Sequence, residues 1–269
     1  MGRIADAFAR TKEEGRASLV IYLCAGDPEL SVTPDLILAA AEGGADVLEL
    51  GVPFSDPSAD GEAIQKASER ALAAGATLPG VLDVVRQVRA RGCEIPILLF
   101  GYYNPIFSYG EDKLAADAAS AGVDGFLVVD LPAEEAASLR SKAVDAGLDY
   151  VPLVAPTSTD DRIAMAKDLA TAFVYYVSMT GITGAQASKL DTAAERAAEL
   201  SKHMERPVAV GFGVKTPEDA ATVARQADGV VVGSAIVRAI QAAPDPDAAC
   251  AAVSTLVASL AGGVARARA

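Results

Sequence analysis

Short, almost continuously apolar runs alternate with longer stretches of helical period along the whole chain. The runs are residues 19–24, 47–50, 97–100, 125–129, 150–154, 173–177, 208–210 and 230–232. They lack the in–out alternation of a half-exposed strand, so each reads as a strand covered on both faces. Helical patterns occupy 33–42, 62–74, 111–121, 133–146, 159–169, 192–202, 217–226 and 247–260. Thr216, with Pro217 next and Asp219 three residues on, reads as a capped helix start. An open doubly wound sheet uses five or six strands. Eight strand–helix units instead predict an α/β chain closed into a (β/α)8 barrel of the TIM type, a single domain over 1–269. Residues 79–90 add a helix between units two and three. Within 1–16 an extra helix is expected to plug the barrel, with Ile4 and Phe8 inward. The tail from Gly262 to Ala269 is expected to fray.

Composition narrows the function classes. Of 269 residues, 51% are hydrophobic and 22% charged, enough apolar material for a sizeable core and too much for disorder. The 36 acidic and 23 basic residues leave a net charge of −13 with no basic stripe, which argues against nucleic acid or an anionic membrane as partner. Cys24, Cys93 and Cys250 lie far apart with no C-x-x-C pair, as expected of reduced thiols in the cytoplasm. The first sixteen residues are too polar for a signal peptide, and Asp6 stands where a myristoylation signal needs Ser or Thr. No apolar run of bilayer-spanning length is evident.

Barrel active sites lie at the C-terminal ends of the strands, so the residues closing each strand carry the chemistry. In Asp46-Val47-Leu48-Glu49-Leu50-Gly51, alternation sends Leu48 and Leu50 toward the helices and Val47 and Glu49 toward the axis. A carboxyl at the mouth of an apolar barrel loses hydration, which raises its proton affinity and suits general acid–base work. Asp60 follows in the loop. It reads equally as a second acid and as the N-cap of the helix starting near Gly61. After the sixth strand, Thr180-Gly181-Ile182-Thr183-Gly184 opens a long connection of lid type.

Strand seven ends in Gly211-Phe212-Gly213, and strand eight in Gly233-Ser234 before a short helix. Glycines permit close backbone approach and a helix start offers free N–H groups, so these two ends predict a phosphate site. His203 sits on a polar helix and no His/Cys/carboxylate cluster is present, which argues against a metal site. A Schiff-base lysine would have to be Lys215, after strand seven. Cys24 has no histidine to activate it. What remains is carboxylate acid–base chemistry on a phosphorylated substrate with an apolar part.

These residues resemble the tryptophan synthase alpha chain family, nearly end to end. The resemblance rests on Glu49-Leu50-Gly51-Val52-Pro53-Phe54-Ser55-Asp56-Pro57, Ala59-Asp60-Gly61, Tyr102-Tyr103-Asn104-Pro105, Asp130-Leu131-Pro132, Thr180-Gly181-Ile182-Thr183-Gly184 and Gly211-Phe212-Gly213. It implies retro-aldol cleavage of indole-3-glycerol phosphate to indole and glyceraldehyde 3-phosphate. Glu49 would protonate indole C3 and help remove the side-chain hydroxyl proton. Asp60 would hold the indole N–H. Thr183 would orient Asp60 and Tyr175 would line the site. Gly184, Gly213, Gly233 and Ser234 would bind phosphate. Tyr22, Phe100, Leu127, Val129, Leu153 and Phe212 would form the slot for the ring.

The resemblance also implies a β chain that takes the indole within an α2β2 heterotetramer and carries pyridoxal phosphate, leaving no cofactor in this chain. Pro53, Asp56, Tyr102, Asn104, Asp130 and Pro132 would face that partner. Ser58, Glu62, Gly101 and Tyr22 depart from the commonest family pattern. Three rivals remain: a stand-alone indole-releasing lyase, a non-catalytic subunit that activates a β chain, and another phosphosugar barrel. Retention of both Glu49 and Asp60 speaks against the second.

Overall fold

The computed structural model describes residues 2–177, 186–211 and 213–268. Helix α1 (Arg3–Glu13) leads into β1 (Ser18–Cys24), α2 (Thr33–Glu42), β2 (Val47–Gly51), α3 (Glu62–Ala73), α4 (Leu78–Ala90) and β3 (Ile97–Gly101). Then come α5 (Tyr103–Tyr109), α6 (Glu111–Ala121), β4 (Gly125–Val128), α7 (Ala137–Asp145), β5 (Asp149–Tyr150), β6 (Leu153–Val154), α8 (Asp160–Leu169) and β7 (Val174–Val177). The chain closes with α9 (Gln186–Met204), β8 (Val208–Gly211), α10 (Pro217–Ala224), β9 (Gly229–Val232), α11 (Ser234–Ala242) and α12 (Pro246–Arg266).

The strands run in the order β5-β4-β3-β2-β1-β9-β8-β7-β6, with every pair parallel. First and last units meet where β1 pairs with β9. Strands β5 and β6 are two pieces of one pass of chain, interrupted at Val151-Pro152, where proline offers no N–H to the ladder. The pass is bonded on both sides: Val151 N–H donates to Phe126 O at 2.9 Å, and Tyr175 N–H to Pro152 O at 3.0 Å. Eight passes therefore close a barrel, as the apolar runs predict.

Alternation along the strands sorts two cores. Leu19, Ile21, Leu23, Leu48 and Leu50 face the helices in one cluster. Val20, Tyr22, Val47, Leu98, Phe100, Leu127 and Ala209 fill the barrel in the other. Helix α1 stoppers its N-terminal end as expected, with Ile4 fully buried and Phe8 stacked on Phe173 at 4.9 Å between ring centroids.

That N-terminal end carries a fourfold device. In each odd pass an N–H of the first or second strand residue is bonded by a side chain standing before the next, even pass. Asp46 accepts from Leu19 N–H at 2.9 Å, Asp124 from Ile97 at 2.7 Å, Thr171 from Tyr150 at 2.8 Å and Asp228 from Val208 at 3.0 Å. Each satisfies a backbone donor that the ladder leaves open. Two of these aspartates are also paired with arginine: Asp46 with Arg16 and Arg10, Asp124 with Arg89 and Arg3.

Helix α12 corrects one expectation. It has 21 residues, with an 18-residue window of mean hydropathy 1.8, long and apolar enough to cross a membrane by length and composition. Here it packs on α2, α10 and α11 through Val253, Val257, Leu260 and Val264. Gly263 permits the closest approach, since a Cβ there would stand 2.3 Å from Pro217 O. One long helix laid against the ring needs a broad stripe of Ala, Val and Leu, and that composition raises its mean hydropathy.

Candidate active site at the C-terminal end of the barrel

Glu49 sits on β2 beside Tyr22 of β1 and Leu98 of β3, turned inward as the alternation requires. It is 1% exposed, and its Oε1 has no hydrogen-bond partner among the described residues. Burial alone pushes the carboxyl up to about 8. A buried acid without a cation stays neutral because ionising it in low dielectric is the costlier alternative. At neutral pH Glu49 therefore holds a proton it can give.

Asp60 lies in the loop between β2 and α3. The N-cap position of α3 belongs to Gly61, and no side chain caps that helix. The Asp60 carboxylate instead accepts a hydrogen bond from the Tyr102 hydroxyl at 3.1 Å, while the same hydroxyl accepts from Ala59 N–H at 2.9 Å. Gln65 secures the loop from below, donating to the carbonyls of Asp60 (2.8 Å) and Pro57 (3.3 Å). Burial raises Asp60 to about 6, and the Tyr102 hydrogen bond opposes the rise. The capping alternative falls. Asp60 is thus ionised at neutral pH while Glu49 is not.

Two tyrosines tie the acids into one site. Burial, then the charges of Glu49 and Asp60, hold the Tyr175 hydroxyl well above its ordinary value. Burial, then Cys24, Asp60 and Glu49, do the same to Tyr22. Each ring leans over a glycine on the neighbouring strand. A Cβ on Gly51 would stand 2.2 Å from the Tyr22 hydroxyl, and one on Gly211 would stand 1.8 Å from that of Tyr175. Any side chain at Gly51 or Gly211 would displace its tyrosine. The glycines are seats for rings, a role that needs the register between strands and is invisible in one strand's sequence.

Tyr22, Phe100 and Leu127 belong to the interior cluster, and Val129, Leu153 and Tyr175 pack against it. Tyr22 and Phe100 meet edge to face at 5.2 Å. A flat apolar ring would find its slot here, beside both acids. Phe212, Thr183 and Gly184 lie outside the described residues, as does the 180–184 segment read as a lid. Gly213 has φ +84°, a left-handed conformation that favours glycine. Gly233 precedes α11, which begins at Ser234 with no side-chain cap, so its first N–H groups and the positive end of its dipole are available to an anion. Gly233 also packs near the Tyr22 ring, which places this helix start next to the slot.

Of the residues expected to face a partner, Asp56, Asn104, Asp130 and Pro132 are exposed. Pro53 and Tyr102 are buried in this chain, and Tyr102 turns inward onto Asp60. Asp130 Oδ1 accepts from Tyr103 N–H at 2.7 Å, fixing the start of α5. That helix was not anticipated, and it exposes Phe107 at 67%. Ser58 is exposed, Glu62 pairs with Lys66 at 2.6 Å, and a Cβ on Gly101 would meet Val52 at an ordinary 3.4 Å. None of these departures touches either acid. His203 and Lys215 are exposed, and burial pushes the Cys24 thiol up to about 12. No group of metal-ligating side chains occurs among the described residues.

Comparison with known proteins places this geometry. Residues 8–264 match the family described as tryptophan synthase alpha chain. The tryptophan synthase alpha chain of Geobacter sulfurreducens is 55% identical over 238 residues, 88% of this chain and 90% of that one. The corresponding chain of Geobacter sp. strain M21 is 52% identical, over 88% and 89%. Among solved structures, tryptophan synthase subunit alpha of Legionella pneumophila superposes with a TM-score of 0.89 at 40% identity, covering 98% of each chain. A chain of M. tuberculosis tryptophan synthase gives 0.88 at 33% identity, covering 98% of this chain and 99% of that one.

Proposed function

Because the chain belongs to the tryptophan synthase alpha chain family, we propose that Glu49 and Asp60 divide the proton work of its reaction between them. The chain cleaves indole-3-glycerol phosphate to indole and glyceraldehyde 3-phosphate, a carbon–carbon lyase step in tryptophan biosynthesis. It works with a β chain in an α2β2 assembly, and the pyridoxal phosphate of the overall synthesis belongs to that β chain.

The bond to be broken joins indole C3 to the hydroxyl-bearing carbon of the glycerol phosphate. Indole leaves poorly as a carbanion. Protonated at C3, the ring becomes an indoleninium cation that can accept the bonding pair. Glu49, neutral at pH 7, supplies that proton. Asp60, ionised at pH 7, accepts the indole N–H and stabilises the positive charge as it develops. Glu49, now a carboxylate, takes the proton from the side-chain hydroxyl. The O–H pair becomes the aldehyde C=O, the C–C bond breaks, and its electrons return to the ring as neutral indole. One proton goes in at C3 and one comes out at the hydroxyl, so Glu49 ends as it began.

The phosphate rests on Gly213, Gly233 and Ser234 with the first N–H groups of α11, and Gly184 contributes to its binding. Tyr175 lines the site, and Thr183 orients Asp60 when its segment covers the substrate. The ring occupies the slot of Tyr22, Phe100, Leu127, Val129, Leu153 and Phe212. The surface of Asp56, Asn104, Asp130 and Pro132 receives the β chain, with Pro53 and Tyr102 supporting it from beneath. Residues 1–269 act as one barrel domain, and as a biosynthetic enzyme with unpaired cysteines it belongs in the cytoplasm.

The observation that carries these roles is the fully buried Glu49 carboxyl, its Oε1 without a partner among the described residues, sharing its tyrosine neighbours with Asp60. The test is glyceraldehyde 3-phosphate release from indole-3-glycerol phosphate, measured for the chain alone and with its β chain. Slow release that rises by orders of magnitude with the partner is expected. Fast unassisted release would mark a stand-alone lyase. Wild-type release by Glu49→Gln would remove Glu49 from the mechanism.

A further inference from the structure

At the opposite end of the barrel from Glu49 lies a cleft of about 280 Å³. It opens between α1, the last turn of α9, the start of β8 and the tail beyond α12, with Phe8 and Pro207 as its apolar walls. Lys12, Arg16, Arg206 and Arg268 line it against only Glu205 and Asp228, in a chain whose acids outnumber its bases 36 to 23.

The partners of these six side chains show which of these charges are already engaged. Asp228 Oδ2 is already satisfied by Ser201 Oγ at 2.7 Å and Val208 N–H at 3.0 Å. Glu205 pairs with Lys167, outside the cleft, at 2.8 Å. Arg16 is engaged by Asp46 and Glu14. The Arg268 guanidinium is held by two backbone carbonyls, Ala224 O and Ala227 O, both at 2.8 Å, and makes no ion pair among the described residues. The Lys12 ammonium and Arg206 guanidinium make no hydrogen bond or ion pair among the described residues. Lys12, Arg206 and Arg268 thus edge one concave, part-apolar space without a direct ion pair among the described residues, Arg206 acting on Asp149 and Glu205 only at longer range, on a protein of net charge −13.

We propose that this cleft is a second anion site, taking a small phosphate-bearing molecule, separate from the substrate phosphate site at Gly213 and Ser234. A phosphate dianion accepts charge-assisted hydrogen bonds from a guanidinium and an ammonium together, and Arg268, already ordered, loses little freedom in joining them. The carbon part of the ligand rests on Phe8 and Pro207. This assignment stands apart from the roles of Glu49 and Asp60.

Inorganic pyrophosphate is the probe, titrated calorimetrically into the full chain at constant ionic strength. Two binding events are expected. Ser234→Asp removes the one at the barrel mouth. Lys12→Ala with Arg206→Ala weakens the other at least tenfold, leaves indole release unchanged, and melts as the wild type does without pyrophosphate. Arg206→Lys keeps the charge and most of the binding. The site is overturned if the Lys12/Arg206 double variant binds as the wild type does. It is equally overturned if Lys66→Ala with Arg91→Ala, two cations outside the cleft, weakens binding as much.

Discussion

Asp46 and Glu49 stand three residues apart, one just before β2 and one at its middle, both almost completely buried, and the barrel treats them in opposite ways. Asp46, at the N-terminal end, receives four donors: Arg16 through two nitrogens at 2.6 and 2.8 Å, Arg10 at 2.8 Å and Leu19 N–H at 2.9 Å. Glu49, at mid-strand, has an oxygen with none among the described residues, and keeps its proton to about 8. A paired buried carboxylate holds strands in register. An unpaired one keeps its proton, at some expense of stability, and is suited to the reagent role proposed for Glu49. The lesson is that burial alone does not sort structural from catalytic acids; the donors around them do.

The strongest test of this contrast is Glu49→Gln. It lowers kcat by roughly 10²–10⁴-fold, because the proton donor to C3 is gone. The same variant is more stable at pH 7. Below about 4.5 the carboxyl is neutral whether the chain is folded or not. Above that the unfolded chain ionises while the fold retains the proton, so wild-type stability falls as pH rises toward 8. Glutamine removes this penalty, and a Tm raised by several degrees at pH 7 is expected. A melting scan showing Glu49→Gln to be less stable would end the argument that the wild-type acid is held against its preference.

The mirror experiment is Asp46→Ala. It leaves two arginines and a strand N–H without their acceptor, a loss of about 3 kcal/mol, read as a Tm lower by roughly 6–12 °C. The kcat measured well below that Tm stays within about threefold of wild type. A fall in kcat matching that of Glu49→Gln would mean the two acids are not separate in function.

Third in size comes the pH profile of kcat. Activity needs Glu49 protonated, so it falls on an alkaline limb near 8, tenfold per unit beyond it. The alkaline limb is the diagnostic one, since both Asp60, near 6, and the substrate phosphate titrate on the acid side. A plateau through pH 10 would exclude Glu49 as the acid. The smallest effect belongs to Tyr102→Phe. Loss of one hydrogen bond to Asp60 costs about 1 kcal/mol, roughly fivefold in kcat, and moves the acid limb upward because that bond lowers the Asp60 value. An acid limb that stays in place would make Tyr102 a packing residue only.

Much of this was legible in one dimension. The eight apolar runs coincide with the eight barrel passes, and the in–out alternation of β2 put Glu49 on the axis. The Thr216–Asp219 pattern forms a complete capping box at the start of α10. Helix α5 escaped notice because Tyr103–Tyr109 is seven residues long and carries Pro105 in its first turn, too short for a 3.6-residue period to show. The family resemblance puts Tyr102 on the partner face, and only the fold brings its hydroxyl onto Asp60, 42 residues away.

The sequence by itself determined the number of strands, which faces are apolar, the inward place of Glu49 and the glycine-closed strand ends, because each is a local pattern set by backbone geometry and hydropathy. The tertiary structure alone decided what surrounds each of those groups. The Asp–strand bonds at the N-terminal end, the seats of Tyr22 and Tyr175 on Gly51 and Gly211, the choice of Asp60 as acid over cap, and the cationic cleft beneath α1 all join residues distant in sequence. Such contacts depend on inter-strand register and on the donors that register delivers, and a proton's affinity for a carboxylate depends on those same donors. A linear pattern carries neither.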